Sequence, residues 1–478
     1  LAALRIGLGL LILGDLLSLL PDSSAFFTDE GVLPRTLLLS ITHRTYLNFY
    51  LMAGTLWGVA LLHLLLALSA LALLVGYQTR WATLACWLLS MSLQYRNPLL
   101  LDAGHLELRL ILFWCLFLPL GARASLDSMR SPQWAKLPHV YHSVAGLGYL
   151  WQVGTIYFWA AINKVHPTWI GDAHALYYVL NLDQFATPLA KLLRTHPPWM
   201  RSLSPAVVGL EFLVVVLLWC PWRNRITRKF GLLGIGLLHL SIAACLDLGW
   251  MVPTALICCC GLWPGAPLGW QALSRFGQPL LGWLNALLPL TAPSERPSGY
   301  AAKRSTQIFL VMAIGYVGYI NLAVDRSWEV PRPVKLFGYT FQLYQSWPMF
   351  APEPSRDDGW FVMEGVCENG RSVDLLRSGQ ETSWSKPDSV AALFGSQRWR
   401  MWQLGLRDKR EAPLLQRYLE WSAQRWDAQH GPSQRLYYVR LVYVKETTPV
   451  PRQPFGLSSE LMAERYCRKG ESPSAHGQ

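Results

Sequence analysis

Charge is what this sequence has least of. Of its 478 residues, 15% are Asp, Glu, Lys or Arg, against about 25% in a soluble globular chain. That scarcity, beside a hydrophobic share of 52%, excludes a disordered chain and an ordinary water-soluble enzyme. Nine cysteines in such a length exclude a disulfide-stapled miniature domain. The chain has no P-loop, no Gly-x-Gly-x-x-Gly, no His-Glu-x-x-His, no Gly-x-Ser-x-Gly turn and no internal repeat. The common phosphate-, dinucleotide-, zinc- and serine-based chemistries therefore have no foothold. No Asn begins an Asn-x-Ser/Thr sequon, which favours a bacterial plasma membrane over a secretory pathway.

What is present is grease. There are 23 Trp and 19 Tyr, the Leu runs are long, and the mean hydropathy is +0.22. Residues 1–324 carry 21 Lys+Arg against 12 Asp+Glu, and residues 325–478 carry 21 against 18. The first part is sparse in charge and the second has a soluble composition. The expected architecture is an all-α multi-pass membrane bundle over 1–324, with about nine transmembrane helices. A small α+β extracytoplasmic domain over 325–478 follows it.

Apolar stretches of spanning character lie at 1–20, 49–77, 81–95, 105–122, 142–163, 203–220, 230–246, 250–263 and 305–324. No cleavable leader is visible, so the first reads as a retained anchor. The loop at 221–229 holds Arg223, Arg225, Arg228 and Lys229 and no acid. With that loop in the cytosol, the inner loops hold 12 basic residues and two acids, and the outer loops seven of each. The bias predicts a cytoplasmic N-terminus and an extracytoplasmic tail in the cell membrane. The lipid bilayer is thus the expected partner and nucleic acid is not, although the pI is about 9.3. The stretch 267–291, apolar but broken by Pro and Gly, reads as an interfacial helix or hairpin on the inner surface, with a tenth span as the competing reading.

In the tail, Asn369-Gly370 between Trp360–Cys367 and Ser372–Leu376 predicts a hairpin, because a type I′ turn needs positive φ at both central residues. Pro413–Gln429 reads as an amphipathic helix and Gln434–Lys445 as a strand. Roughly the last 25 residues read as loose. Cys367 and Cys467 form a disulfide or remain two thiols.

Ionisable groups inside spans are costly and therefore candidates for function: Arg5, Asp15, His63, Glu107, Arg109, Glu211 and His239. Arg5 and Asp15 stand roughly 15 Å apart along a helix and do not pair. Glu107 and Arg109 point to different faces, so each needs a partner on another helix, and the bland reading is a structural pair. Cys258, Cys259 and Cys260 point in three directions and cannot close one tetrahedral zinc site. His139 and His142 share a face without a carboxylate, so no metal is expected. Two stretches are denser. Arg96, Asn97, Asp102 and His105 gather polar groups between two spans, as a binding mouth or as a solvated turn. Tyr157–Lys164, followed by His166 and Trp169, sets a lysine beside aromatic residues at a span end. Such a lysine snorkels to the headgroups. The chemical alternative is desolvation, which lowers its pKa from about 10.4 toward 7 and makes it a general base.

These segments resemble a known family. Phe26–Arg35 (FFTDEGVLPR), His105–Asp127, Tyr157–Trp169, Asp183–Ala190 (DQFATPLA), Gln345–Gly365 and Arg398–Trp402 are similar, in this order, to parts of the horizontally transferred transmembrane (HTTM) family. Its members share a membrane domain with vitamin K-dependent gamma-carboxylase, and the resemblance is to a bacterial member. It implies a lysine base, here Lys164, that deprotonates a reduced quinone such as vitamin K hydroquinone. Tyr157, Trp169, His105, Asn97 and Asp102 would line the pocket. The animal pattern of His preceded by Asn is not kept, since His105 follows Gly104, and Gly171-Asp172 inverts the family's Asp-Gly.

Three functions remain open on the sequence. The first is a quinol-oxidising, epoxidising or carboxylase-like enzyme based on Lys164. The second is a non-catalytic factor for maturation or export of a secreted peptide or protein, binding it through Trp360, Arg398, Trp399, Arg400 and Trp402. The third is a transporter, against which stands the lack of inverted repeats.

Overall fold

The computed structural model describes residues 1–42, 47–130, 142–265, 270–287, 302–451 and 453–467. His139 and parts of 267–291 lie outside them. The longer helices of the first part are α1 (Ala2–Leu19), α2 (Leu56–Val75), α3 (Thr79–Arg96), α4 (Ala103–Cys115), α5 (Val144–Asn163), α6 (Pro197–Trp219), α7 (Asn224–Cys245), α8 (Met251–Leu262), α9 (Trp270–Leu287) and α10 (Arg304–Asp325). Their starts follow from local chemistry. Thr55 accepts from the Gly58 amide, Ser143 from Gly146 and Asp102 from His105, each satisfying a donor that a helix N-terminus leaves free. The α2 helix stops at Gly76, whose φ is +70°. There the Arg5 guanidinium lies where a Cβ would stand, so the position needs glycine both for its backbone and for space.

Five helical stretches are long and apolar enough to cross a membrane: Ala2–Phe27, Leu56–Val75, Pro197–Trp219, Asn224–Cys245 and Arg304–Asp325. They mark the chain as a membrane protein. The α2, α6 and α7 windows are only 28% buried, and leucines such as Leu61, Leu64 and Leu68 stand exposed along α2. This is the surface that acyl chains cover.

The expectation of nine spans is not met. The stretch at 81–95 lies within α3, a helix that also carries Arg80, Gln94 and Arg96. The stretch at 105–122 contains a helix of 13 residues, α4, and that at 250–263 one of 12, α8. A 13-residue helix rises about 20 Å, short of a hydrocarbon core of about 30 Å. The stretch at 142–163 is α5, 20 residues long but diluted by Gln152, glycines and aromatics. These four helices sit inside the bundle. The α4 helix packs on α3, α5 and α8, and 11 of its 13 residues are buried. A helix shielded by protein can carry polar groups that lipid would not tolerate. Of the stretch at 267–291 the described residues, 270–287, form one helix, α9.

Beyond Asp325 the chain forms α11 (Arg332–Thr340), α12 (Gln397–Lys409), α13 (Ala412–Gln429) and five strands: β1 (Asp357–Cys367), β2 (Ser372–Asp374), β3 (Gln380–Glu381), β4 (Leu436–Thr447) and β5 (Gly456–Tyr466). The sheet is antiparallel in the order β3-β2-β1-β4-β5. The predicted hairpin is β1–β2, but its turn is not type I′, since Gly370 has φ +79° and Asn369 does not have a positive φ; the predicted helix and third strand are α13 and β4. Of the stretch expected to be loose, residues 468–478 lie outside the described residues, and Gly456–Tyr466 pairs with β4 across a bulge at Met462. Its side chains are mostly exposed, so no buried face announces it; backbone hydrogen bonds to a long neighbour make it a strand. No disulfide joins Cys367 to Cys467.

Candidate functional site

The sequence-predicted site residues fall in three places. Lys164 ends α5. Its Nζ donates to Glu211 Oε1 at 2.8 Å, to Glu211 Oε2 at 3.1 Å and to the Ala160 carbonyl at 3.2 Å. It lies 5.5 Å from the centre of the Trp169 ring. Both charged side chains are buried. Lys164 therefore does not snorkel to the headgroups; it is an ion-paired lysine whose counter-ion comes from α6. Trp169 is held by its indole N–H donating to the Phe350 carbonyl at 3.1 Å. Val165 and Ile170, on either side of this turn, are exposed, so the pair lies beneath an apolar surface.

Tyr157, two turns back on α5 and so near the same face, makes a different contact. Its hydroxyl is 2.9 Å from His239 Nε2 on α7, and the two rings meet edge to face.

His105, Asp102 and Asn97 belong to a third place, where the tail enters the bundle. Asp102 caps α4, and His105 Nδ1 lies 2.7 Å from its Oδ1. His105 Nε2 is 3.3 Å from Asp15 Oδ1 on α1 and 3.0 Å from Arg398 Nη1 on α12. Arg398 also pairs with Asp15 and donates to the Leu100 carbonyl at 3.0 Å. Asp102 Oδ2 accepts from Gln397 Nε2 at 2.6 Å and from the Trp250 amide at 3.0 Å. Burial alone would raise the Asp102 carboxyl; the charge and hydrogen bond of His105, the Trp250 amide and the charge of Arg398 outweigh it and bring the pKa to about 2. Asn97 Nδ2 donates to the Phe26 carbonyl at 3.2 Å, and Arg96 Nη1 to the Leu33 carbonyl at 2.8 Å. The cavity bounded by Asp15, Asn97, His105 and Arg398 holds about 20 Å³, room for one water molecule. The mouth is thus no solvated turn; it is a socket for α12, and Asp102 also lines a larger cavity.

The same helix supplies the other half of the contact. Arg400 donates to Asp247 Oδ2 at 3.1 Å and to the Gln184 carbonyl at 3.1 Å. The Trp399 indole N–H donates to Asp22 Oδ1 at 3.0 Å. Trp360, Arg398, Arg400 and Trp402 are buried and Trp399 is half-buried. The expected partner-binding surface is therefore already occupied by the protein's own bundle or core. Arg5 is spent on the Ala124 carbonyl rather than on Asp15. Arg109 donates to Gln94 Oε1 at 3.3 Å and lies over the Tyr95 ring. Cys258 is buried, and its carbonyl accepts from the Tyr149 hydroxyl at 2.7 Å.

Sequence reasoning named Glu211 but not as the partner of Lys164, and it placed Arg398 on a binding surface instead of against Asp15. For Lys164 a signal existed: the next long apolar stretch holds a single ionisable group of opposite sign. For Arg398 there was none, because the partner belongs to another domain. Two further cavities lie at the junction. One of about 460 Å³ is lined by Leu101, Asp102, Leu106, Arg109, Trp347 and Met349, so that of the expected pocket residues it includes Asp102. One of about 270 Å³ is lined by Tyr177, Asp183, Arg194, Lys386 and Glu446. Comparison of the chain with protein-family models, with curated proteins and with solved structures gives no match.

Proposed function

We propose that this chain is a membrane enzyme of the gamma-carboxylase-like type, in which the buried Lys164–Glu211 couple moves a proton for an acidic, lipid-soluble substrate. The observation that carries the reading is the couple itself. A lysine and a glutamate share one buried hydrogen-bonded site beneath exposed apolar residues. In a low dielectric the charged and neutral forms of such a pair approach one another in free energy. Transfer of one proton from Nζ to Glu211 leaves a neutral amine, and that amine takes the substrate's proton and returns to the ammonium form. Trp169 fixes the lysine stem and excludes water.

A reduced quinone would supply the acidic hydroxyl. The apolar walls of the 460 Å³ cavity suit a quinone ring by size and chemistry. Trp347 lines that cavity, and its carbonyl accepts from the Asn163 amide next to Lys164. Phe350 in the same segment holds Trp169. The reading has the sheet domain on the extracytoplasmic side; the charge bias that predicted this side was counted over nine spans and does not carry over to five.

The test is hydroquinone oxidation by the protein in lipid nanodiscs, with co-purifying quinone measured alongside. Glu211→Gln is expected to lower turnover by about 10² or more. The double variant Lys164→Met/Glu211→Leu, which removes both charges, is expected to stay folded and to be inactive with no quinone retained. Unchanged turnover in the folded double variant would overturn the assignment.

A second reading, a non-catalytic maturation or export factor, is favoured by β5. This strand ends the sheet and exposes Leu457, Leu461 and Tyr466, which suits strand addition by an extended secreted peptide. Leu457→Lys with Leu461→Lys would then abolish partner maturation and leave hydroquinone turnover intact.

A further inference from the structure

We propose that Asp183, Asp358 and Glu446 form a divalent-cation site, of calcium-like chemistry, in which the Lys386 ammonium stands where the ion would bind. The three carboxylates come from different parts of the chain. Asp183 follows a short helix of the bundle, Asp358 opens β1 and Glu446 lies near the end of β4. One oxygen of each lies within 4.8 Å of the others, and all three residues are buried.

Two of these acids are direct cross-strand partners, Asp358 opposite Glu446. Like charges in that position repel unless something lies between them. Lys386 meets part of the need, since its Nζ is 2.6 Å from Asp183 Oδ2 and also pairs with Glu446. Arg194 takes the other oxygen of Asp183, at 2.6 Å. Asp358 is left over. Its Oδ2 accepts from the Asp183 amide at 2.8 Å, but its Oδ1 is buried with no hydrogen-bond partner, and the residue is 1% exposed. Leaving such an oxygen unpaired costs stability.

With the ammonium withdrawn, the three carboxylates converge without a cation to share. Hard oxygen donors of this kind select calcium or magnesium over softer metals. Lys386 is 37% exposed at its side chain and lines the 270 Å³ cavity with Asp183 and Glu446. It can swing out into that cavity, which also gives room for the waters that complete a calcium shell. The ion would tie the bundle segment holding Asp183 to both central strands. The inference does not depend on Lys164 or on any reaction.

The experiment uses the full chain in detergent, stripped with a chelator and titrated with CaCl₂ or MgCl₂ alone. Thermal unfolding and calorimetric binding are followed. Wild type is expected to bind calcium with a Kd of about 10⁻⁴–10⁻³ M, as extracellular modules do, and to unfold at a higher temperature when loaded. Lys386→Met removes the competing ammonium and is expected to bind about tenfold more tightly. Asp358→Asn is expected to fold, because it removes an uncompensated acid, and to lose the calcium response. The proposal is overturned if neither wild type nor Lys386→Met binds calcium, which would leave Lys386 as the permanent internal cation. It is equally overturned if folded Asp358→Asn binds as wild type does.

Discussion

Single residues in this protein carry more than their composition suggests, because many of the charged ones in the bundle are buried and spoken for. Asp102 is the clearest case outside the membrane-spanning helices. It caps α4, fixes His105 and receives Gln397 from the tail. Its carboxyl has a pKa of about 2 in the folded protein, below the unfolded value of about 3.9. A depressed carboxyl stabilises the fold above the unfolded pKa, and that stabilisation is lost as the pH falls through the folded value. Between about pH 4 and pH 2 the hold on α12 is therefore expected to weaken. Hydrogen exchange over Gln397–Lys409 should rise in wild type across that window. In Asp102→Asn it should be already raised at neutral pH and flat across the window. At this scale the sequence was informative about which residues matter and silent about their use. Asp15, His105 and Glu211 stand out in apolar surroundings, yet each has a partner 47 or more residues away.

Elements were legible where local chemistry decides them. The Asn369-Gly370 hairpin follows from a backbone that only small residues adopt easily. Gly370 sits at φ +79°, and a methyl group added to its Cα would meet nothing within 4 Å, so Gly370→Ala has only the backbone to disturb. It is expected to cost about 1–2 kcal/mol, read as a lowered unfolding temperature with the sheet otherwise intact. Helices were legible as apolar runs, but which of them face lipid was not. Hydropathy alone does not separate a helix bathed in acyl chains from one wrapped by other helices, and α4 and α8 are of the second kind. The β5 strand escaped notice for the opposite reason, having an exposed face and a polar composition while its partner strand supplies the pairing.

The whole molecule is two compositions locked together. The sheet domain is seated by Arg398, Arg400, Gln397 and Trp399 in acceptors that the bundle provides. Arg398→Ala leaves buried Asp15 with His105 alone, and loss of one partner of a buried pair costs up to about 3–5 kcal/mol. The expected outcome is a lower unfolding temperature and faster protease cleavage near Arg332–Thr340. Asp15→Asn combined with Arg398→Met should recover most of the loss. Unchanged protease resistance in Arg398→Ala would show that the junction stands without this pair.

The bond between Asp15 and Arg398 joins residues 383 positions apart. During synthesis at about 5–20 residues per second, the first helix waits roughly 20–75 s before its arginine exists. Until then an acid within the first apolar helix has only His105, ninety residues on, to meet it. The nascent bundle is thus an unfinished object that only its own last third can complete, which marks a prematurely ended chain by a carboxylate near its beginning that lacks half of its hold.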